Sequence, residues 1–254
     1  MKARIMGLVG TAAIIGLLAA TSAQATSYGT VRAKLTGYPG EGVTFTVLSP
    51  TYRSSGAVCG VYQFTKAASP APTGFGGLLS STFDAVCVDV YGTIGGGATY
   101  DWTIVDLDLV PSGPGGVLAM GSVRANNLQE LFAQHYSETV GNNALKAAFG
   151  ASVWEIVNES EWTGGAKPWD IDTGNLTVTR LSTTAHNTAE TWLSNLTGAH
   201  ANTVVYGMTA PGTQDFGIVI STPPPPPVPE PMTMASVLCG LAMVGGYVRR
   251  RLAA

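Results

Sequence analysis

Reactive side chains are scarce in this sequence, with cysteine and histidine each present only 3 times among 254 residues. Cys239 lies in an apolar stretch near the C-terminus, which leaves Cys59 and Cys87. In an oxidising compartment an even pair is expected to form a disulfide. A Cys59–Cys87 bond would close a loop of 29 residues. On the chain-entropy account that contributes roughly 3 to 4 kcal/mol. Both fall in strand-like runs, and adjacent strands can bring Cα atoms within the roughly 4.4 to 6.8 Å that a disulfide needs.

The remaining polar chemistry is dispersed. His135, His186 and His200 share no close metal-ligand spacing, so no metal site is expected. Glu155 and Glu159 stand four apart on one helix face, with Glu161 beyond them, and are expected to be a solvated helix end. Asp170-Ile171-Asp172-Thr173-Gly174-Asn175 starts like a calcium loop, but Leu181 stands where the twelfth position needs a bidentate Glu. Asp106 and Asp108 are expected on the wet side of a strand. No phosphate loop, nucleophile elbow or Cys-x-x-Cys is present, so neither a catalytic residue nor a cofactor is assigned.

The elements that must position these residues change period midway. Val31–Leu35, Val43–Val47, Val58–Thr65, Phe83–Tyr91 and Tyr100–Leu109 are rich in β-branched and aromatic residues between Gly and Pro punctuation, which predicts strands. Leu128, Leu131, Phe132 and His135 then recur at helical spacing. So do Leu145, Phe149, Val153, Ile156 and Val157, and later Ala189, Trp192, Leu193 and Leu196. Helices are expected near 122–137, 142–158 and 186–197, followed or separated by strands at 176–180, 204–208 and 216–220. The class is α+β: an antiparallel β-rich domain, sandwich- or barrel-like, with a helical insertion. Only 11% of residues are charged, against roughly 25% in ordinary soluble domains. Residues 26–222 hold 8 Lys and Arg against 15 Asp and Glu, a net of −7. That balance argues against a nucleic-acid partner.

Both ends carry sorting information. Lys2 and Arg4, an apolar run to Ala20 and the small-x-small Ala23-Gln24-Ala25 predict a signal peptide over 1–25, cut by signal peptidase after Ala25. Residues 26–222 form the extracytoplasmic domain. Pro223–Pro227 opens a stiff spacer over 223–231 that ends in Pro229-Glu230-Pro231. An uncharged stretch over 232–248 follows, then Arg249-Arg250-Arg251 in a basic tail over 249–254. Seventeen helical residues span roughly 25 Å, enough for a short transmembrane helix. The arginines would hold the C-terminus in the cytoplasm. This order resembles the PEP-CTERM tail of bacterial exported proteins. The resemblance implies an exosortase partner and delivery to the cell surface or an exopolysaccharide matrix.

A second resemblance runs through the domain. Phe83-Asp84-Ala85-Val86-Cys87-Val88-Asp89-Val90, Ala147 to Val157, Trp169 to Asn175, Trp192-Leu193 and Gln214-Asp215-Phe216 together resemble PEP-CTERM ectodomains related to the thioester domains of bacterial surface adhesins. In those domains a Cys before a hydrophobic-Asp pair joins a Gln to form an internal electrophile that captures amines. The resemblance implies Cys87 as the thioester cysteine. It places the glutamine in a Thr-Gln-x-Ala-hydrophobic-Trp helix segment, where Gly150 stands here. The scaffold is therefore expected without its reactive bond. The function expected is a non-enzymatic surface or matrix protein with a structural or binding module. A thioester-type covalent adhesin is the alternative, and a secreted polysaccharide-active enzyme, with Trp162 and Trp169 stacking on sugar, is a further one.

Overall fold

The computed structural model describes residues 27–113, 118–162, 164–199 and 204–220. The expected signal peptide, the Pro-Glu-Pro motif, the expected 232–248 transmembrane helix and His200 all fall outside these residues. Among the described residues no helix is long and apolar enough to cross a membrane.

Period-2 burial builds the sheet. The strands are β1 (Gly29–Gly37), β2 (Gly40–Val47), β3 (Tyr52–Lys66), β4 (Thr82–Cys87) and β5 (Thr99–Asp106). After the short ribbon β6 (Pro111–Ser112) and β7 (Leu118–Ala119) come β8 (Leu176–Thr179), β9 (Val205–Thr209) and β10 (Phe216–Val219). All pairings are antiparallel. The order is β1-β5-β9-β10-β4-β3-β2-β8, and β1 also pairs with β3. That extra pairing closes β1, β5, β9, β10, β4 and β3 into a barrel, which removes the sheet edges that would otherwise be open. Phe64, Trp102 and Phe216 fill it with edge-to-face contacts at centroid distances of 5.1 to 5.7 Å. The Trp102 indole N–H donates to the Ala33 carbonyl, 3.3 Å, so the largest interior side chain leaves no unsatisfied donor.

The N-terminal half of β3 runs on beyond the barrel with β2 and β8. A one-turn helix α1 (Phe75–Leu78) precedes β4; α2 (Ser122–His135) and α3 (Asn143–Asn158) lie between β7 and β8, and α4 (Thr183–Asn195) lies between β8 and β9. The longest helix, α3, packs on this extension of β3, and two others pack on α3. The α+β class and the helical insertion are as the periodicity predicts. Asn142 caps α3 by accepting from the backbone N–H groups of Ala144 and Leu145, and Ser182 caps α4 through Ala185. That serine cap starts α4 three residues before the expected position 186.

Helix α3 differs from an amphipathic surface helix. Every residue from Ala147 to Val157 is buried, because β2 and β3 cover one side and α2 and α4 the other. The Glu155–Glu159 pair is therefore not a solvated helix end. Glu155 is fully buried and accepts from the Asp170 backbone N–H at 2.9 Å. Glu159 is also buried and accepts from Leu176 N–H at 2.7 Å. Both carboxyls staple the connection from α3 to β8. Glu161 reaches out instead, to Arg124 at 3.2 Å.

Candidate functional site

Strand β4 was expected to continue to Tyr91, but it ends at Cys87. There the chain turns: the Asp89 carboxylate accepts from Tyr91 N–H at 2.9 Å, an Asx turn that competes with the sheet ladder. Across the barrel wall Phe216 of β10 pairs with Cys87, and Val88 N–H donates to the Asp215 carbonyl at 3.1 Å. This register carries Gln214, two residues before Phe216, over the end of β4.

Its side chain completes the site. Gln214 Nε2 lies 2.7 Å from Cys87 Sγ and donates to the Asp89 carbonyl at 3.0 Å. The Cys87 thiol donates to that same carbonyl at 3.2 Å. One backbone oxygen thus holds both the sulfur and the carboxamide nitrogen. The amide carbon is one bond of about 1.33 Å from the nitrogen, so it lies within about 4 Å of the sulfur. That bound is close to the roughly 3 to 3.5 Å of a near-attack geometry.

Gly92 seats the glutamine. A Cβ there would stand 2.6 Å from Gln214 Cα and would also meet the Asp89 carboxylate. Trp154 of α3 closes the inner side. Its buried indole N–H makes no hydrogen bond of ordinary geometry, yet it faces the Cys87 sulfur and favours the thiolate. Burial dominates, however, and with the neighbouring Asp89 it pushes the Cys87 thiol far above its usual range. A thiol so placed is not a free nucleophile for solvent reagents.

Two depressions flank the pair. One, of about 260 Å³, is aromatic, with Tyr38, Tyr52, Tyr62 and Trp154 around Gln214. The other, of about 690 Å³, is lined by Asp89, Tyr91, Thr213 and Asp215. The two share Gly92 and Thr93. Burial raises the Asp215 carboxyl to about 7, with Asp89 adding like-charge repulsion, and burial raises Asp89 as well.

The other expected site residues fall elsewhere. Cys59 and Cys87 are both free thiols, so the expected disulfide is not formed. Cys59 points away into the helical layer and donates to the Ala147 carbonyl at 3.3 Å. Gly150, the degenerate thioester position, is in the same contact: a Cβ there would lie 2.6 Å from Gly60 N and 3.0 Å from Cys59 Sγ. That position is a packing point between α3 and β3, and the glutamine that meets Cys87 is Gln214. The signal for it was the Gln-Asp-Phe triplet, whose partner 127 residues away only the β4–β10 pairing reveals.

His135 stacks on Trp192 and bonds Glu138, and His186 bonds Asp172 at 2.9 Å. Among the described residues no group of three His, Cys, Asp or Glu could hold a metal ion. Asp170 closes a local turn, accepting from Asp172 N–H at 3.0 Å. Asp108 lies in a 3-10 turn after β5, and Asp106 ends β5 near the Tyr28 phenol. Trp169 is buried edge-on against Trp162.

No family model matches the chain, and no curated protein does. Among solved structures it is similar to the N-terminal thioester domain of a surface protein from Clostridium perfringens. The TM-score is 0.42 at 8% identity, covering 74% of this chain and 97% of that one.

Proposed function

We propose that Cys87 and Gln214 form an internal thioester and that the domain is a covalent capture module of an exported surface protein. The contact between Gln214 Nε2 and Cys87 Sγ, 2.7 Å, supports this reading. The thiol attacks the Gln214 carboxamide carbon, a C–S bond forms, the C–N bond breaks, and the nitrogen leaves as ammonia with the thiol proton. The Asp89 carbonyl orients both partners for that step, and burial keeps water from the product. An incoming amine then displaces the sulfur and stays joined to Gln214 as an amide. The bond is consumed once, so the module is not a turnover enzyme.

Delivery belongs to the same proposal. The signal peptide over 1–25 is removed by signal peptidase, and the Pro229-Glu230-Pro231 tail with its apolar stretch and Arg249–Arg251 is handed to an exosortase. The domain then acts at the cell surface or in the exopolysaccharide matrix.

Methylamine is the test of the chemistry. Treated protein should gain the amine on Gln214 and, once unfolded, show an alkylatable thiol at Cys87. Protein that takes up no methylamine, or takes it up elsewhere, defeats the reading. Truncation after Thr222 tests delivery: the variant should fold but fail to reach the surface, and normal localisation contradicts the sorting role.

A further inference from the structure

We propose that the aromatic depression over Gln214 is the entry route of the amine, and that Tyr38 and Tyr52 make it select a primary amine carried on an unbranched alkyl stem. The inference rests on the Cys87–Gln214 thioester and names the class of amine that this bond takes.

The route follows from which residues line which space. Gln214 lines the aromatic depression, whereas neither Gln214 nor Cys87 lines the larger, acidic one. A nucleophile must reach the Gln214 carboxamide carbon, so it arrives from the aromatic side.

Aromatic rings follow one another along that route. Tyr38, in the link between β1 and β2, is 42% exposed and meets Tyr62 of β3 edge-on at 5.8 Å. Tyr52, at the start of β3, is held by Phe45 at 5.8 Å and by Tyr91 at 5.3 Å. Phe45 in turn lies 5.1 Å from Trp154, which is buried beside Cys87. An exposed ring thus stands at the mouth and a buried indole at the inner end.

This lining presents ring surface and little else. Among the described residues around the depression none is charged. The Tyr62 hydroxyl is already engaged, donating to the Val58 carbonyl at 2.6 Å. Each methylene that leaves water against such rings gains about fourfold in affinity. The hydroxyl groups of an amino sugar lose free energy there instead, because they give up water. At about 260 Å³ the space is smaller than the roughly 300 to 1,000 Å³ of sites for drug-sized ligands, which suits a single chain ending in its amine. Ring faces also attract a cation, so an ammonium can enter before it loses a proton to solvent. The neutral nitrogen then bonds to Gln214 Cδ, the C–S bond breaks with its electron pair on sulfur, and the proton released by nitrogen ends on that sulfur.

The experiment compares capture of n-pentylamine, methylamine and glucosamine by the exported protein at equal free-amine concentration, with intact mass read first. Wild type should take pentylamine about 50-fold faster than methylamine, the gain of roughly three buried methylenes, and should take glucosamine more slowly than pentylamine. Tyr38→Ala and Tyr52→Ala should each lower the pentylamine-to-methylamine ratio by about fivefold or more. Tyr52→Phe, which keeps the ring, should retain it. A merely structural role would slow both amines and leave the ratio unchanged. Wild-type protein that captures the three amines at equal rates overturns the proposal and leaves the thioester standing, and so does a ratio unmoved in both alanine variants. Should the variants fail to fold, the wild-type rates decide. An unmodified wild-type mass removes the thioester reading, and this one with it.

Discussion

Gly150 of α3 lies directly against Cys59 of β3, close enough that a single added methyl would stand 3.0 Å from the Cys59 sulfur and 2.6 Å from Gly60 N. Helix propensity alone favours Ala over Gly by about 1 kcal/mol. Packing reverses the sign here, since the nearest obstacle is backbone and cannot rotate away. Gly150→Ala is expected to lower stability by about 1 to 3 kcal/mol. A denaturant midpoint equal to or above wild type would contradict that contact.

The same helix supplies a second prediction. Phe149 is fully buried, with its ring 4.8 Å from Phe132 and 6.2 Å from Trp192. Phe149→Ala should cost about 3 to 5 kcal/mol. A midpoint near wild type in urea unfolding would show that α2, α3 and α4 do not share one core.

Gly92 separates fold from chemistry. Any side chain there must displace Gln214 or the Asp89 carboxylate, yet the residue sits in a turn rather than in the barrel wall. Gly92→Ala is expected to keep the far-ultraviolet spectrum and lose the ability to shed ammonia. Full loss of ammonia by this variant would mean that the glutamine is not seated by the turn.

Buried carboxyls set the pH dependence of stability. Burial raises Glu155 from 4.5 to about 9, and its Oε2 has no hydrogen-bond partner; Asp215 rises from 3.8 to about 7. In both cases the folded state binds protons more tightly than the unfolded one. Stability from these groups is complete below the ordinary carboxylate range and is lost as pH rises through about 7 and then about 9. Thermal midpoints should fall over that interval, and Glu155→Gln should flatten the fall. Equal slopes for variant and wild type would contradict the burial of an acid at this position.

Much of this architecture is legible in the residues. Alternation in Val43–Val47 and the 3.6-residue spacing of Leu145 to Val157 encode β2 and α3, because each depends on neighbours near in sequence. The start of α4 is also local, but it is marked by the Ser182 cap rather than by the apolar stripe. The Cys87–Gln214 contact is not local. It depends on β10 returning beside β4 after the whole helical insertion, a pairing that no periodicity reports. For the same reason Cys59 and Cys87 read as partners: both lie in strands, but the sequence does not say that one thiol turns to α3 and the other to β10. Burial of Glu155 was hidden likewise, since a carboxylate on a helix ordinarily marks its wet face.

The intact mass of the exported protein under non-reducing conditions tests the central claim most directly. The geometry at Cys87 and Gln214 predicts the sequence mass less one ammonia, with the loss abolished in Cys87→Ala and in Gln214→Ala. An unmodified mass with both Cys59 and Cys87 alkylatable after unfolding contradicts the account, and so does the loss of two hydrogens by a Cys59–Cys87 disulfide.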